Sequence, residues 1–504
     1  MAEKTSTTRE LAEASAAGNW DRVFALFDQS WNEFFHDHPV LLLEVLEQMP
    51  DEAIDREPKL RLAREYIGRN VHGDGYSTAY RNSVDLAGPL DAVNQLAMWT
   101  AQMAAAREVG RFSDATRLVN VARDFLGAQP IEADPMLSAA LPEFHFQWGL
   151  TRELAGDFDD ALTDYNDAYD WAVSTGHPMI ESSAAAAAAF LHALHGRNVL
   201  ARTWLARFPH VAGDEWWSTA AAVPAQLADV ILHLDGLDRE GAARVLDLLT
   251  PVRAGERWAA YFLLRAVTET RMQRIRAVTS ELDSHLETIP VPRRDGGATD
   301  EYRALTRLIL DVALQRPATQ ETTFVDDRPT AKASLLRQYG ALLRALRAHA
   351  AGKSKDARLL AAPLLAVSGA RPRVLIGALL ATSGEDGPQR EEAIELAVTQ
   401  SSFGLLAFSS PDSRVRIAEL LARRDAPAAA ALLRTMAFAP APDGASSLSP
   451  RELEVAERAA AGETAQSIAT ALHVSPNTVK TQLRSVYRKL GVTNRRELFE
   501  ALHR

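Results

Sequence analysis

The sequence contains no cysteine. That excludes disulfides, thiolate metal sites and cysteine nucleophiles, and it is the usage expected of a reducing cytoplasm. Long apolar runs are scarce as well. The alanine run Ala184 to Ala189 soon meets His192, and MAEKTSTTRELAEA at the start has no basic segment followed by an apolar one, so neither a membrane span nor a signal peptide is expected. Strand signals are few before residue 440: β-branched alternation and Asn-Gly or Asp-Gly turns give way to Ala, Leu, Glu and Arg at helical spacing. The expected class is all-α, and no phosphorylatable α/β receiver domain is expected.

Nor does any catalytic constellation appear. His36, Asp37 and His38 are adjacent and so point in different directions, with no partner cluster to complete a metal site. Gly352, Lys353 and Ser354 look like the end of a phosphate-binding loop, but that pattern needs a glycine five positions earlier, where Arg347 stands, and a preceding strand. The expectation is a protein that is not an enzyme, with no catalytic residues, no metal and no cofactor. All nine tryptophans lie before residue 259. Packing between helices is the reading preferred for them over an aromatic ligand pocket.

What is present is a long helical stretch and a distinct end. At 504 residues the chain is too long for one core. One phrase recurs: a glycine, a bulky residue two positions later and a small or apolar residue three beyond that. It occurs at Gly18, Trp20, Val23, at Gly110, Phe112, Ala115 and at Gly156, Phe158, Ala161, and more weakly from Gly196, Gly236 and Gly352. A glycine in the left-handed conformation ends one helix, and the next begins by burying its aromatic against the first. Around Gly156 the phrase extends to Gly149, Tyr165 and Ala168, and there the chain resembles a tetratricopeptide repeat. The spacings of 46, 40 and 40 residues from Gly110 to Gly236 exceed the standard repeat of about 34, so elongated helical hairpins are expected, stacked as a solenoid.

Composition marks the breaks. Ile289 to Asp300 and Pro317 to Lys332 are rich in proline, glycine and polar residues, a possible seam near 289–332, and Ala439 to Ser447 reads as a flexible linker. The expected division is a helical-repeat region at 1–438, a linker at 439–447 and a terminal unit at 448–504. The charge changes sign at that boundary. The terminal unit has nine Lys or Arg against six Asp or Glu, a net +3, so the first 447 residues carry −14 of a chain whose total is −11. Ser475 to Arg496 holds six basic residues and no acidic one. A basic stripe of this kind attracts phosphate even on an acidic protein.

Within the terminal unit, Ser449, Pro450 and Glu452 form a capping box, and Gly462 stops the first helix. A short second helix is expected from about Ala465 to Leu472. Ser475 and Pro476 start a third that runs to Leu490 and ends at Gly491, and Asn494 with Glu497 caps a fourth. On the third helix Val479, Leu483, Val486 and Leu490 make a core face. Asn477, Thr481, Arg484 and Arg488 step identically on a neighbouring face, with Lys480 at its margin. An α-helix fits the major groove of B-DNA, and its amino-terminal residues reach base edges.

The segments LSPRELEVAERAAAG, SIATALHVSPNTVKTQLRSVYRKLGV and NRREL resemble the LuxR/GerE-type helix-turn-helix over about 55 residues. The resemblance implies a four-helix DNA-binding domain in a bacterial transcriptional regulator. Its third helix would enter double-stranded DNA with Lys480, Thr481 and Arg484 facing bases and Thr478, Arg488 and Lys489 on the backbone. Its fourth helix, with Leu498, Phe499 and Leu502, would pair two protomers as a homodimer. Two positions depart from the pattern: Ser467 replaces an acidic residue before Ile-Ala, and Gln482 replaces a histidine two residues past Lys480. The expectation is a cytoplasmic regulator whose helical region senses a small-molecule or protein effector. The alternative is a protein-interaction scaffold tethered to DNA by its C-terminal unit.

Overall fold

The computed structural model describes residues 2–54, 60, 63–64, 67–68, 91–208, 217–269, 272–288, 297–314, 334–350, 352–366, 371–383, 387–409, 411–435, 448, 450–490, 494–495 and 498–499. Among these residues there is no strand. The seam near 289–332 falls largely outside them, and the linker 439–447, Ser449, Gly491 and Leu502 fall wholly outside.

The chain opens with α1 (Ala2–Ala16), α2 (Trp20–Asp37), α3 (Pro39–Gln48) and α4 (Asp51–Ile54). The middle comprises α5 (Ala92–Glu108), α6 (Phe112–Gly127), α7 (Pro135–Ala155), α8 (Phe158–Thr175), α9 (Pro178–His195), α10 (Asn198–Arg207), α11 (Ser218–Asp235), α12 (Arg239–Leu246), α13 (Pro251–Ala254), α14 (Trp258–Thr268), α15 (Met272–Thr288) and α16 (Ala298–Ala313). Then follow α17 (Leu335–Ala350), α18 (Ser354–Leu365), α19 (Pro372–Thr382), α20 (Pro388–Gln400), α21 (Pro411–Arg423) and α22 (Pro427–Thr435). The C-terminal unit contains α23 (Pro450–Ala460), α24 (Ala465–Ala471) and α25 (Pro476–Leu490).

The recurring glycine phrase is a helix stop with one geometry. Gly18, Gly110, Gly156, Gly196 and Gly352 all have positive φ. At Gly156, its N–H donates to Glu153 O at 3.0 Å and the Asp157 N–H reaches back to Arg152 O at 2.8 Å, the paired bonds of a Schellman stop. The other four repeat the pattern. The residues that follow do what the phrase requires: Phe112 and Phe158 are buried, and Val23, Ala115 and Ala161 are fully buried.

Gly236 departs from it. Its φ is −77°, and the left-handed residue is Leu237 at +64°. The stop has moved one residue on, with Leu237 N bonding to Leu234 O and Asp238 N to His233 O. The glycine that the packing demands is Gly241, where a Cβ would lie 2.2 Å from Asp238 Oδ2 and 2.3 Å from His233 Nδ1. Gly352 to Ser354 also prove to be a helix stop and start, with Lys353 the N-cap of α18.

Helix α9 sits at the centre, with Ala184 to Ala189 fully buried, so that α8, α10 and α11 approach it closely. The array also folds back on itself. Asn198 Nδ2 donates to Asp235 Oδ2 at 2.7 Å and to Ser401 O at 3.2 Å, and Phe403 N donates to Asp235 O at 2.8 Å. Arg257 grips Glu153 through two bonds of 2.7 Å, with the Tyr165 hydroxyl donating to the same carboxylate at 2.6 Å. The described tryptophans all pack against cores: Trp148, Trp204, Trp217 and Trp258 are buried, and Trp20, Trp31, Trp99 and Trp171 are partly so. Trp216 lies outside the described residues. The apolar core of the array runs from Leu11 to Leu433. That of the C-terminal unit, from Leu448 to Leu498, is a separate cluster. No described helix is long and apolar enough to cross a membrane.

Candidate nucleic-acid interface

The C-terminal unit is assembled by short-range signals. Helix α23 buries Val455 and Ala456, and Gly462 at φ +91° ends it. Thr464 caps α24, accepting from the Ser467 N–H at 3.1 Å. The turn between α24 and α25 uses the same stop as the array, here with His473 at φ +53°: Val474 N bonds to Ala469 O at 3.0 Å. Histidine tolerates this conformation better than most side chains do. Ser475 then caps α25, accepting from the Thr478 N–H at 3.1 Å.

On α25 the two stripes separate. Val479 and Val486 are fully buried and Leu483 nearly so, packed against Ile468, Leu472 and Val455. Asn477, Thr478, Lys480, Thr481 and Arg484 are all exposed. Thr481 Oγ1 donates to Asn477 O at 2.9 Å. Neither Lys480 nor Arg484 is paired to an acid among the described residues, so both charges face solvent. Arg488 and Lys489 continue the helix, and their side chains lie outside the described residues, as does that of Leu490.

Beside Ser467, the tie between α24 and α23 runs through Glu463, which sequence reasoning passed over. Arg458 of α23 pairs with Glu463 at 3.3 Å, and Ser467 Oγ donates to the same carboxylate at 3.3 Å. The signal available was an acid one residue before a Thr cap, four residues before Ser467. Arg451 adds a second tie from α23 to the carbonyl of Leu472 at the end of α24. The oxygen Oε1 of Gln482 is buried without a hydrogen-bond partner among the described residues. Of the residues assigned to protomer pairing, Leu498 is fully buried in the unit's own core, Phe499 is about half exposed, and Leu502 lies outside the described residues. An ion pair between Arg276 of α15 and Glu457 of α23 joins the array to this unit.

Elsewhere, His145, Asp164 and Asp167 place potential ligand atoms within 4.8 Å of one another. Asp164 is already held by Arg152 at 3.0 Å and by Arg123, and Arg123 also faces Asp167 at 3.6 Å. Two guanidinium groups in this cluster make it a buried ion-pair network that repels a cation. The side chains of His36 and Asp37 lie outside the described residues.

Comparison with known proteins bears on this end of the chain. Residues 446–501 match the family model described as bacterial regulatory proteins, luxR family. Two curated relatives, each named probable transcriptional regulatory protein NarL, come from Mycobacterium tuberculosis strains CDC 1551 / Oshkosh and ATCC 25618 / H37Rv. Each is 50% identical to this chain over 48 residues. The match covers 10% of this chain and 22% of each relative's length. No solved structure matches the chain. The likeness to the luxR family is thus carried by residues 446–501, the C-terminal unit.

Proposed function

We propose that this protein is a sequence-specific, DNA-binding transcriptional regulator in which α25 enters the major groove and the helical array, residues 1–438, receives an effector. The observation that carries this reading is the exposed, acid-free stripe of Lys480, Thr481 and Arg484 beside the buried Val479, Leu483 and Val486 on one capped helix. Lys480, Thr481 and Arg484 face base edges. Thr478, Arg488 and Lys489 meet phosphates, and Phe499 with Leu502 pairs two protomers on double-stranded DNA. The linker 439–447 lets the terminal unit, 448–504, reorient. The first 447 residues carry −14, which opposes phosphate unless they are held away from the duplex. An effector that binds one arrangement of array and terminal unit more tightly than the other shifts the population able to dock. The reading places the protein in the cytoplasm of a bacterium.

The test is equilibrium binding of the full chain to a selected duplex and to a random one. Arg484→Ala should lose about 1–3 kcal/mol on the selected duplex and little on the random one. Equal losses on both would contradict base reading by α25.

A further inference from the structure

Three helices of the array begin at one place, around Asp159. Helix α8 starts behind Asp157, α10 behind Arg197 and α19 behind Arg371, and none of these N-cap side chains bonds to an N–H of its own helix. The junction is tight: a Cβ at Gly196 would lie 2.7 Å from the backbone nitrogen of Arg373. Helix amino termini present N–H groups and partial positive charge. Two guanidinium groups add to them, Arg371 Nη2 at 3.4 Å and Arg197 Nη2 at 3.8 Å from the Asp159 carboxylate, which is itself well exposed.

His195 completes the arrangement. Its ring is fully buried, and Nδ1 lies 2.7 Å from Leu191 O. A carbonyl only accepts, so Nδ1 carries the hydrogen and Nε2 offers a lone pair. Burial first, and then the charge of Arg197, hold the ring down to about 4, so it is neutral at pH 7. The group facing Nε2 is Asp159 Oδ1 at 3.6 Å, a second acceptor, and Nε2 has no hydrogen-bond partner among the described residues. Arg371 Nη1 is likewise buried without a partner among the described residues. The charges that His195 feels are Arg197, Asp159, Arg371 and the neighbouring His192, while Asp157 faces Asp160 and Arg152.

We propose that this junction binds the phosphate group of a small-molecule effector, with Asp159 as the internal counter-ion that the phosphate displaces. A protonated phosphate oxygen donates to His195 Nε2, and the charged oxygens accept from Arg371, Arg197 and the helix amino termini. Asp159, at the exposed edge, swings into solvent. The inference deepens the sensing role proposed above and rests on that reading only for its consequence at DNA.

The experiment titrates inorganic phosphate into the full chain without DNA, against potassium chloride at matched ionic strength. It follows the melting temperature and the ring nitrogen resonances of His195. Wild type should show a saturable shift that chloride does not produce. Arg371→Gln should bind about tenfold more weakly and Asp159→Asn about tenfold more tightly, as expected for losing a charged donor or an internal competitor. Asp159→Asn, at an exposed carboxylate, carries the test should Arg371→Gln fail to fold. No saturable shift in wild type, or binding that neither substitution changes, would overturn the proposal. A third arm measures affinity for a random duplex in phosphate-free buffer, which Arg371→Gln should leave unchanged. A loss there would assign these cations to DNA phosphates and also overturn it. Because the titration contains no DNA, its failure leaves the DNA-reading proposal standing, and failure of DNA binding leaves the titration interpretable.

Discussion

Gly149→Ala pits local preference against packing. Inside α7 an alanine should stabilise the helix by about 1 kcal/mol over glycine. The added Cβ would lie 2.7 Å from Cδ1 and Cε1 of Tyr165 and 3.1 Å from its Cγ. Carbon atoms rest about 3.5–4.0 Å apart, so the ring must retreat by about 1 Å. Tyr165 has nowhere to go. It is fully buried, its hydroxyl donates to Glu153 at 2.6 Å, Arg257 Nη2 approaches that hydroxyl at 3.1 Å, and Phe146 tilts against its ring with centroids 5.6 Å apart. Overpacking of this kind costs about 1–3 kcal/mol. Subtracting the helix preference leaves a net loss of about 1–2 kcal/mol. Urea denaturation of the full chain, followed by tryptophan fluorescence and by helical ellipticity, measures it. In a Tyr165→Ala background the same substitution should become neutral or stabilising, a coupling that a double-mutant cycle isolates. If Gly149→Ala stabilises the wild type by about 1 kcal/mol, α7 and α8 do not approach each other as closely as the Tyr165 contact requires.

Three further outcomes are expected. Arg276→Ala should raise the affinity of the full chain for DNA about twofold, because its pair with Glu457 is partly exposed and so contributes on the order of 0.5 kcal/mol. The swap Arg276→Glu with Glu457→Arg should restore the wild-type value, and an unchanged affinity in Arg276→Ala would show that this pair does not hold the terminal unit back from DNA. Lys489→Ala should weaken binding to all duplexes alike and reduce the slope of log affinity against log salt by about one unit. His192 is lowered to about 4 by burial and by the charge of Arg197, below the ordinary 6.5. The unfolded chain therefore takes up a proton as pH falls below about 6.5 while the folded chain does not, and stability present above that value is lost on the way to about 4. His192→Leu should shrink the stability lost between pH 7 and pH 5 by roughly 1–2 kcal/mol, measured by urea denaturation at both values. An unchanged loss would show that His192 is not held neutral in the fold.

The parts of this protein legible in its sequence are those governed by neighbours in the chain. The four- and three-residue steps of Val479, Leu483 and Val486 placed the buried face of α25, and Ser475 before Pro476 placed its start, because both depend only on helix geometry. The same holds for the glycine stops, up to Gly236. There the requirement for a small residue at Gly241, beside His233 and Asp238, is a packing constraint that the local phrase does not contain. Glu463 was passed over because its value lies in reaching Arg458 and Ser467 at once. The fold-back contacts were illegible altogether: Asn198 meets Ser401 across 203 positions, and Glu153 meets Arg257 across 104. The phosphate junction proposed around Asp159 is of that kind, since Arg197 and Arg371 come together only through the fold.

The measurement that tests the central claim most directly is selection from a randomised duplex library with the purified full chain, alongside the variant carrying Lys480→Ala, Thr481→Ala and Arg484→Ala. The wild type should enrich one sequence motif, and the variant should recover DNA without enriching that motif. Enrichment of the same motif by both proteins, or of none by the wild type, would contradict the claim that the exposed stripe of α25 reads DNA sequence.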